Sequence, residues 1–208
     1  MSIYFDKINH KYFIDSKPAP GVNEIISDIW HFDMAHMPEE RLERAMELGT
    51  KVHKATELHD TGLLENNEDD SVLGYLTAYR RFLGDLKAIP VLVEKVFSGC
   101  DQDNQESVYC GTVDRIMDIG GERWCIDLKT GGVYPRTRLQ TAGYFLAYNQ
   151  DNKGFCATKR GALYLKHNGE YGFKEHTNDY DYECFLSALR LFYFKHPRYR
   201  SKVVEIWD

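Results

Sequence analysis

Apolar and polar positions along the 208-residue chain follow a strand-like period in some blocks and a helix-like period in others. "IYFDKINHKYFID", residues 3–15, is rich in aromatic and β-branched residues. It reads as a short β-hairpin, with "SKPAPG" as the turn that follows. "VNEIISDIW" then starts a helix or a turn. Residues 37–62 predict a long helix, with Leu42, Ala45, Met46, Val52, Ala55 and Leu58 approximating one apolar stripe. Pro38, Glu39 and Glu40 suit its N-terminus, Gly49 interrupts it at some cost, and Gly62 ends it. A second helix is expected over 72–87, with Leu73, Leu76, Tyr79, Phe82, Leu83 and Leu86 on one face. The acidic loop "ENNEDDS" between the two helices is expected to be the most mobile segment.

The period then changes. "PVLVEKVFSG" alternates, "DQDNQE" turns, and "SVYCGTVDRIMDI" and "RWCIDLKT" flank the turn "GGE", which together predict a β-meander. "PRTRLQTAGYFLAYNQ" reads as a helix with Pro135 near its first turn. "GALYLKHNGEYGFKEH" reads as a hairpin turning at Asn168-Gly169, and "YDYECFLSALRLFYFKH" as a closing helix. The order ββ-α-α-βββ-α-ββ-α indicates an α/β or α+β arrangement of helices around one sheet.

Bulk properties narrow this reading. At 43% hydrophobic, the chain can build one sizeable core, and a single domain over 1–208 is the default at this length. Within it, 1–30 would be a hairpin lead-in, 38–150 the part that carries the motifs, and 160–208 a hairpin and C-terminal helix. A net charge of −6 argues against a protein that coats nucleic acid by charge alone, but not against an enzyme whose carboxylates recruit cations. Five cysteines, an odd number without CxxC spacing, point away from a disulfide framework or zinc ribbon and towards a reducing compartment. No apolar run is long enough for a signal peptide or membrane span, so a soluble, cytoplasmic protein is expected.

The candidate chemistry lies in "GTVDRIMDIGGERWCIDLKTG". Strand alternation puts Ile126 and Leu128 on one face and Asp127 and Lys129 on the other. Asp114 comes to lie beside Asp127 if the strands pair across the "GGE" turn. Two adjacent carboxylates raise each other's pKa, and a hard divalent cation such as Mg²⁺ or Mn²⁺ relieves that repulsion. Lys129 would stand alongside, able to hold or help deprotonate a water, or to offset charge on a phosphate. Alone, an Asp-x-Lys tripeptide is more often the solvated outer face of an edge strand, because so short a motif recurs by chance. Its company changes the weighting: Gly49 four residues before His53, Gln140 and Tyr144 at i and i+4 on a helix, and Glu94 on the preceding strand.

The ordered set GxxxH, GxxD, DxK with Thr130 following, and QxxxY resembles the RecB-type, phage-type exonuclease branch of the PD-(D/E)xK nuclease superfamily. That branch includes the mitochondrial genome maintenance exonuclease and the CRISPR-adaptation exonucleases. The motifs run from Gly49 to Tyr144, about half the chain. The resemblance implies a restriction-endonuclease-like α/β core, a central mixed β-sheet flanked by helices. It implies metal ligands at His53, Asp114, Asp127 and the Leu128 carbonyl, with Glu94 a weaker match. It implies catalytic roles for Lys129, Asp114 and Asp127, with Gln140 and Tyr144 supporting the lysine and contacting DNA. "GTVD" stands where the namesake proline-aspartate pair would be, and the cysteines lack the iron–sulfur arrangement of the CRISPR-linked relatives.

The activity implied is a Mg²⁺- or Mn²⁺-dependent DNA nuclease. An exonuclease is preferred, acting on single strands or free ends in recombination, replication or repair, with a recombination or replication protein as a further partner. A silent nucleic-acid-binding module and a junction-resolving endonuclease are the alternatives. Asp118 is read as a solvated strand end, and Tyr144 as partly core. "KRGALYLKHNG", "RLFYFKHPRYRSK" and the Arg136/Arg138 pair would either line a groove for single strands or form ordinary amphipathic and solvated surface.

Overall fold

The structure is a computed structural model that describes residues 2–30, 38–64 and 69–199. Most of the acidic loop, residues 65–68, and the basic tail beyond 199 lie outside the described residues. β1 (Ile3–Asp6), β2 (Lys11–Ile14) and β3 (Lys17–Ala19) form a small antiparallel sheet in that order. The expected turn "SKPAPG" therefore contributes a third strand. Asp15 and Ser16 take up the reversal instead, both in the left-handed region at φ 47° and 66°. Positive φ at both central residues is the geometry of the tight type I′ hairpin turn. Pro18 is tolerated in β3 because an edge strand leaves its missing N–H without consequence.

The main sheet has five strands: β4 (Ile89–Cys100), β5 (Val108–Ile119), β6 (Glu122–Lys129), β7 (Lys159–Leu165) and β8 (Tyr171–Glu175), in that spatial order. β6 and β7 run parallel, joined through the helix α4 (Arg136–Asp151), and the other neighbours are antiparallel. This is the central mixed sheet flanked by helices that the sequence implies. The middle strands are buried on nearly every residue because helices cover both faces. α1 (Val22–Ile29), α4 and α5 (Tyr180–Lys195) pack over one face, around Ile25, Tyr109, Ile116, Tyr148 and Phe185. α2 (Glu39–Asp60) and α3 (Asp70–Leu86) cover the other, around Val52, Tyr79, Phe82, Ile126 and Leu128. Residues 22–29 are thus a full helix.

Two helical stripes differ from expectation. In α3 the buried row is Val72, Tyr75, Leu76, Tyr79 and Phe82, whereas Leu73 is exposed. In α2 only Val52, Ala55 and Thr56 are buried, and Met46 is 66% exposed. The first half of α2 is mostly exposed, and Met46 and Gly49 line a cleft. No helix of the described residues is long and apolar enough to cross a membrane.

Candidate metal centre

The sheet builds one wall of this centre. The antiparallel register pairs Arg115 with Ile126, which sets Asp114 across from Asp127 one step further along. Ile126 and Leu128 join the core under α2 and α3, while Cys125 belongs to the core under α1, α4 and α5. Alternation therefore turns Asp127 and Lys129 to the α4 side. Asp114 Oδ2 accepts a 2.6 Å hydrogen bond from the backbone N–H of Leu128, which ties the carboxylate to the neighbouring strand. Asp127 is fully buried, and no backbone N–H of the described residues reaches its oxygens. Lys129 Nζ lies 2.6 Å from Asp127 Oδ2 as an ion pair.

The second wall is α2. His53 Nδ1 lies 3.3 Å from Glu94 Oε1 and 3.7 Å from Asp114 Oδ1. His53 Nε2 lies 3.3 Å from the Leu128 carbonyl oxygen. One donor atom from each of His53, Glu94 and Asp114 falls within 4.8 Å of the others, a spacing able to hold a metal ion. Glu94 reaches this point from a backbone in the left-handed region, φ 47°. The imidazole, the three carboxylates and the Leu128 carbonyl of the implied ligand set thus share one region of the molecule.

Electrostatics follow from the crowding. Burial opposes charge on His53, but Asp114 and Glu94 outweigh it and push the imidazolium up to about 9. Burial and the Asp114 charge push Asp127 up to about 6 against the pull of Lys129. Asp114 is raised for the same reasons, burial first, with Glu94 adding and His53 opposing. Lys129 is raised, since Asp127 and Asp114 overcome the cost of burying its charge. Buried carboxylates pressed together are what a divalent cation with oxygen ligands would relieve.

The helix α4 closes the far side. Gln140 Nε2 donates to the Tyr144 hydroxyl at 3.1 Å, so the i, i+4 pair is joined as its spacing implies. Tyr144 is almost fully buried, consistent with its partly core reading. Burial, then Asp127 and Asp114, hold its hydroxyl well above the usual phenol range. Its ring lies against Gly111, where a Cβ would come within 2.7 Å of it. The glycine of GxxD is therefore the space that the tyrosine of QxxxY fills. A cleft of about 450 Å³ opens between these elements, with Gly49, His53, Leu128, Lys129, Arg136 and Gln140 in its walls.

Asp118, read as a solvated strand end, lies outside the centre and forms a two-pronged pair with Arg123 at 2.8 and 3.0 Å. Of the basic groove candidates, Arg160 is buried and bound to Asp181, and Arg138 is bound to the same carboxylate. Those two therefore tie α4 and β7 to α5, while Arg136 is in the cleft wall. Sequence reasoning passed over Arg115, which is completely buried behind the centre. Its signal was present: a cationic residue inside an otherwise apolar strand, next to a candidate ligand.

No known protein family matches the chain, and no curated protein matches it. Among solved structures, one of a candidate exonuclease from Eubacterium rectale is similar with a TM-score of 0.48 at 10% identity, covering 76% of this chain and 72% of that one. A second, of SSO0001, is similar with a TM-score of 0.38 at 14% identity, covering 76% and 73%. Likenesses this distant leave the chemistry to the residues themselves.

Proposed function

We propose that the chain is a divalent-metal-dependent deoxyribonuclease that hydrolyses phosphodiester bonds, with single-stranded or free-ended DNA as its substrate. The observation that carries this reading is the convergence of the His53 imidazole, the Glu94 and Asp114 carboxylates and the Leu128 carbonyl beside the Lys129–Asp127 pair. Mg²⁺ or Mn²⁺ fits the donor set, which is rich in hard oxygens and includes a fully buried carboxylate whose partner is the Lys129 ammonium. His53, Glu94, Asp114, Asp127 and the Leu128 carbonyl would hold it. When bound, such an ion supplies Lewis acidity to a phosphate and lowers the pKa of a bound water.

The side chains of the chain do the rest. Lys129 keeps 28% of its side chain exposed, so its ammonium faces the cleft while Asp127 anchors it from within. From there it can orient a water for attack and balance charge that grows on the scissile phosphate. Gln140, fixed by Tyr144, and Arg136 line the same cleft and offer N–H donors to the DNA backbone. An acidic protein with such a local cationic rim steers DNA to one place rather than coating itself with it.

The experiment is degradation of end-labelled linear DNA with Mg²⁺, with EDTA added, and with Lys129→Ala protein. Loss of cleavage in the last two is expected; equal degradation in all three would exclude the mechanism. A covalently closed circle separates exonuclease from endonuclease, because only an endonuclease cuts it. Intact DNA under all conditions, with no Mn²⁺ uptake by calorimetry that Asp114→Asn abolishes, would instead favour a silent binding module.

A further inference from the structure

We infer that Arg115 is a positioning residue for the cation site, clamped from behind so that it holds the Glu94 carboxylate against His53. The inference rests on the reading of His53, Glu94 and Asp114 as ligands. The guanidinium is fully buried in β5 and its donors are spent in two directions. Behind it, Nε donates to Asp60 Oδ2 at 2.6 Å and to the Tyr79 hydroxyl at 3.3 Å, and Tyr79 itself donates to Asp60 Oδ2 at 2.6 Å. Towards the centre, Nη1 donates to Glu94 Oε1 at 3.1 Å and to the Asp114 carbonyl at 2.6 Å. Nη2 donates to Thr56 Oγ1 at 3.0 Å, and Thr56 donates to the carbonyl of His53 at 2.9 Å.

One side chain thus grips three pieces that carry candidate ligands: the Glu94 carboxylate, the Asp114 backbone and the helical turn of His53. Asp60 alone would neutralise a buried guanidinium, so charge balance does not require Glu94 as a second carboxylate. Glu94, by contrast, needs Arg115. Its left-handed φ of 47° is a conformation that persists only where the surroundings over-determine it. Arg115 and His53 meet the same oxygen, Oε1, from two sides and are those surroundings. The planar fork of arginine serves several acceptors at fixed angles, which the single ammonium of lysine cannot do.

The test is a double-mutant cycle read on Mn²⁺ affinity by calorimetry, independent of any DNA cleavage. Arg115→Lys should weaken Mn²⁺ binding about tenfold or more, the size seen for partners that orient a ligand. In a Glu94→Gln background the same change should weaken it less than about twofold, because the group it positions has been removed. Should Arg115→Lys fail to fold, Tyr79→Phe carries the cycle: a smaller loss, again absent with Glu94→Gln, is expected. Lowered thermal stability with unchanged Mn²⁺ affinity, or equal losses in both backgrounds, would overturn the inference and leave the proposed nuclease standing. No Mn²⁺ uptake by the unaltered protein would overturn both.

Discussion

Loading the centre with Mn²⁺ should expel close to one proton at pH 7, and affinity should rise with pH. Asp114 and Glu94 overcome the burial of His53 and hold its imidazolium up to about 9. A ring nitrogen ligates a metal only when neutral. At pH 7 the charged form then outweighs the neutral one by about 100 to 1, a handicap of about 2.7 kcal/mol at about 1.36 kcal/mol per pKa unit. Raising the pH to 8.5 removes most of it, a gain in affinity of about 25-fold. With 30% of the side chain exposed, solvent screening reduces this to about tenfold. Below pH 6 the gain per unit should steepen, because Asp127, pushed up to about 6, must also lose a proton. The assay is calorimetric titration in two buffers of different ionisation enthalpy, which reads the proton count directly. A count of zero at pH 7, with affinity flat from pH 6.5 to 8.5, would show that His53 is no ligand. Stability gives the mirror image. A histidine whose folded pKa lies above its ordinary 6.5 stabilises the fold below pH 6.5, and that contribution fades as pH rises through about 9. The melting temperature in EDTA should therefore fall over that window, while saturating Mn²⁺ should protect increasingly.

Lys129→Met should cut DNA cleavage by at least about 100-fold, the usual loss for a group that handles a proton or developing charge, yet leave Mn²⁺ binding intact. It should also move the Asp127 carboxyl above about 6, since its ion-pair partner is gone, and carboxyl NMR titration reads that shift. Gly111→Ala forces a methyl to 2.7 Å from the Tyr144 ring and 3.1 Å from Val22, and should cost about 1–3 kcal/mol in chemical denaturation. Tyr144→Leu should restore part of that, and no rescue would mean that the ring does not occupy the space. Gly49→Ala meets only Thr130 Oγ1, at an ordinary 3.6 Å, so helix propensity should prevail and stability rise by about 0.5–1 kcal/mol. A fall in melting temperature there would mean that α2 packs against the Thr130 loop more tightly than this spacing allows.

The resemblance implied a mixed sheet between helices, and every strand from 89 to 175 lies where the alternating and turn-bounded segments lie. The failures in reading were local and have physical causes. β3 was taken for a turn because proline is rare in strands, but at a sheet edge its missing donor costs nothing. Leu73 was placed on the buried face of α3 from its hydrophobicity, yet Val72, Tyr75, Leu76, Tyr79 and Phe82 fill that face, and a leucine one step round the helix faces water. Arg138 and Arg160 were left between a groove and ordinary surface because sequence shows charge without showing the Asp181 that both of them meet.

Strand alternation alone determined that Asp127 and Lys129 turn away from Ile126 and Leu128, because the backbone of an extended chain points successive side chains to opposite sides. The i, i+4 joining of Gln140 to Tyr144 was set in the same local way by the pitch of a helix. Tertiary structure alone decided that α2 brings His53 to Glu94, Asp114 and the Leu128 carbonyl, 41 to 75 residues further along the chain. It alone decided that Arg115, inside a strand, stands behind them as their support. Periodicity reports the geometry of neighbouring residues, whereas convergence depends on register and packing between distant segments, which no local pattern encodes.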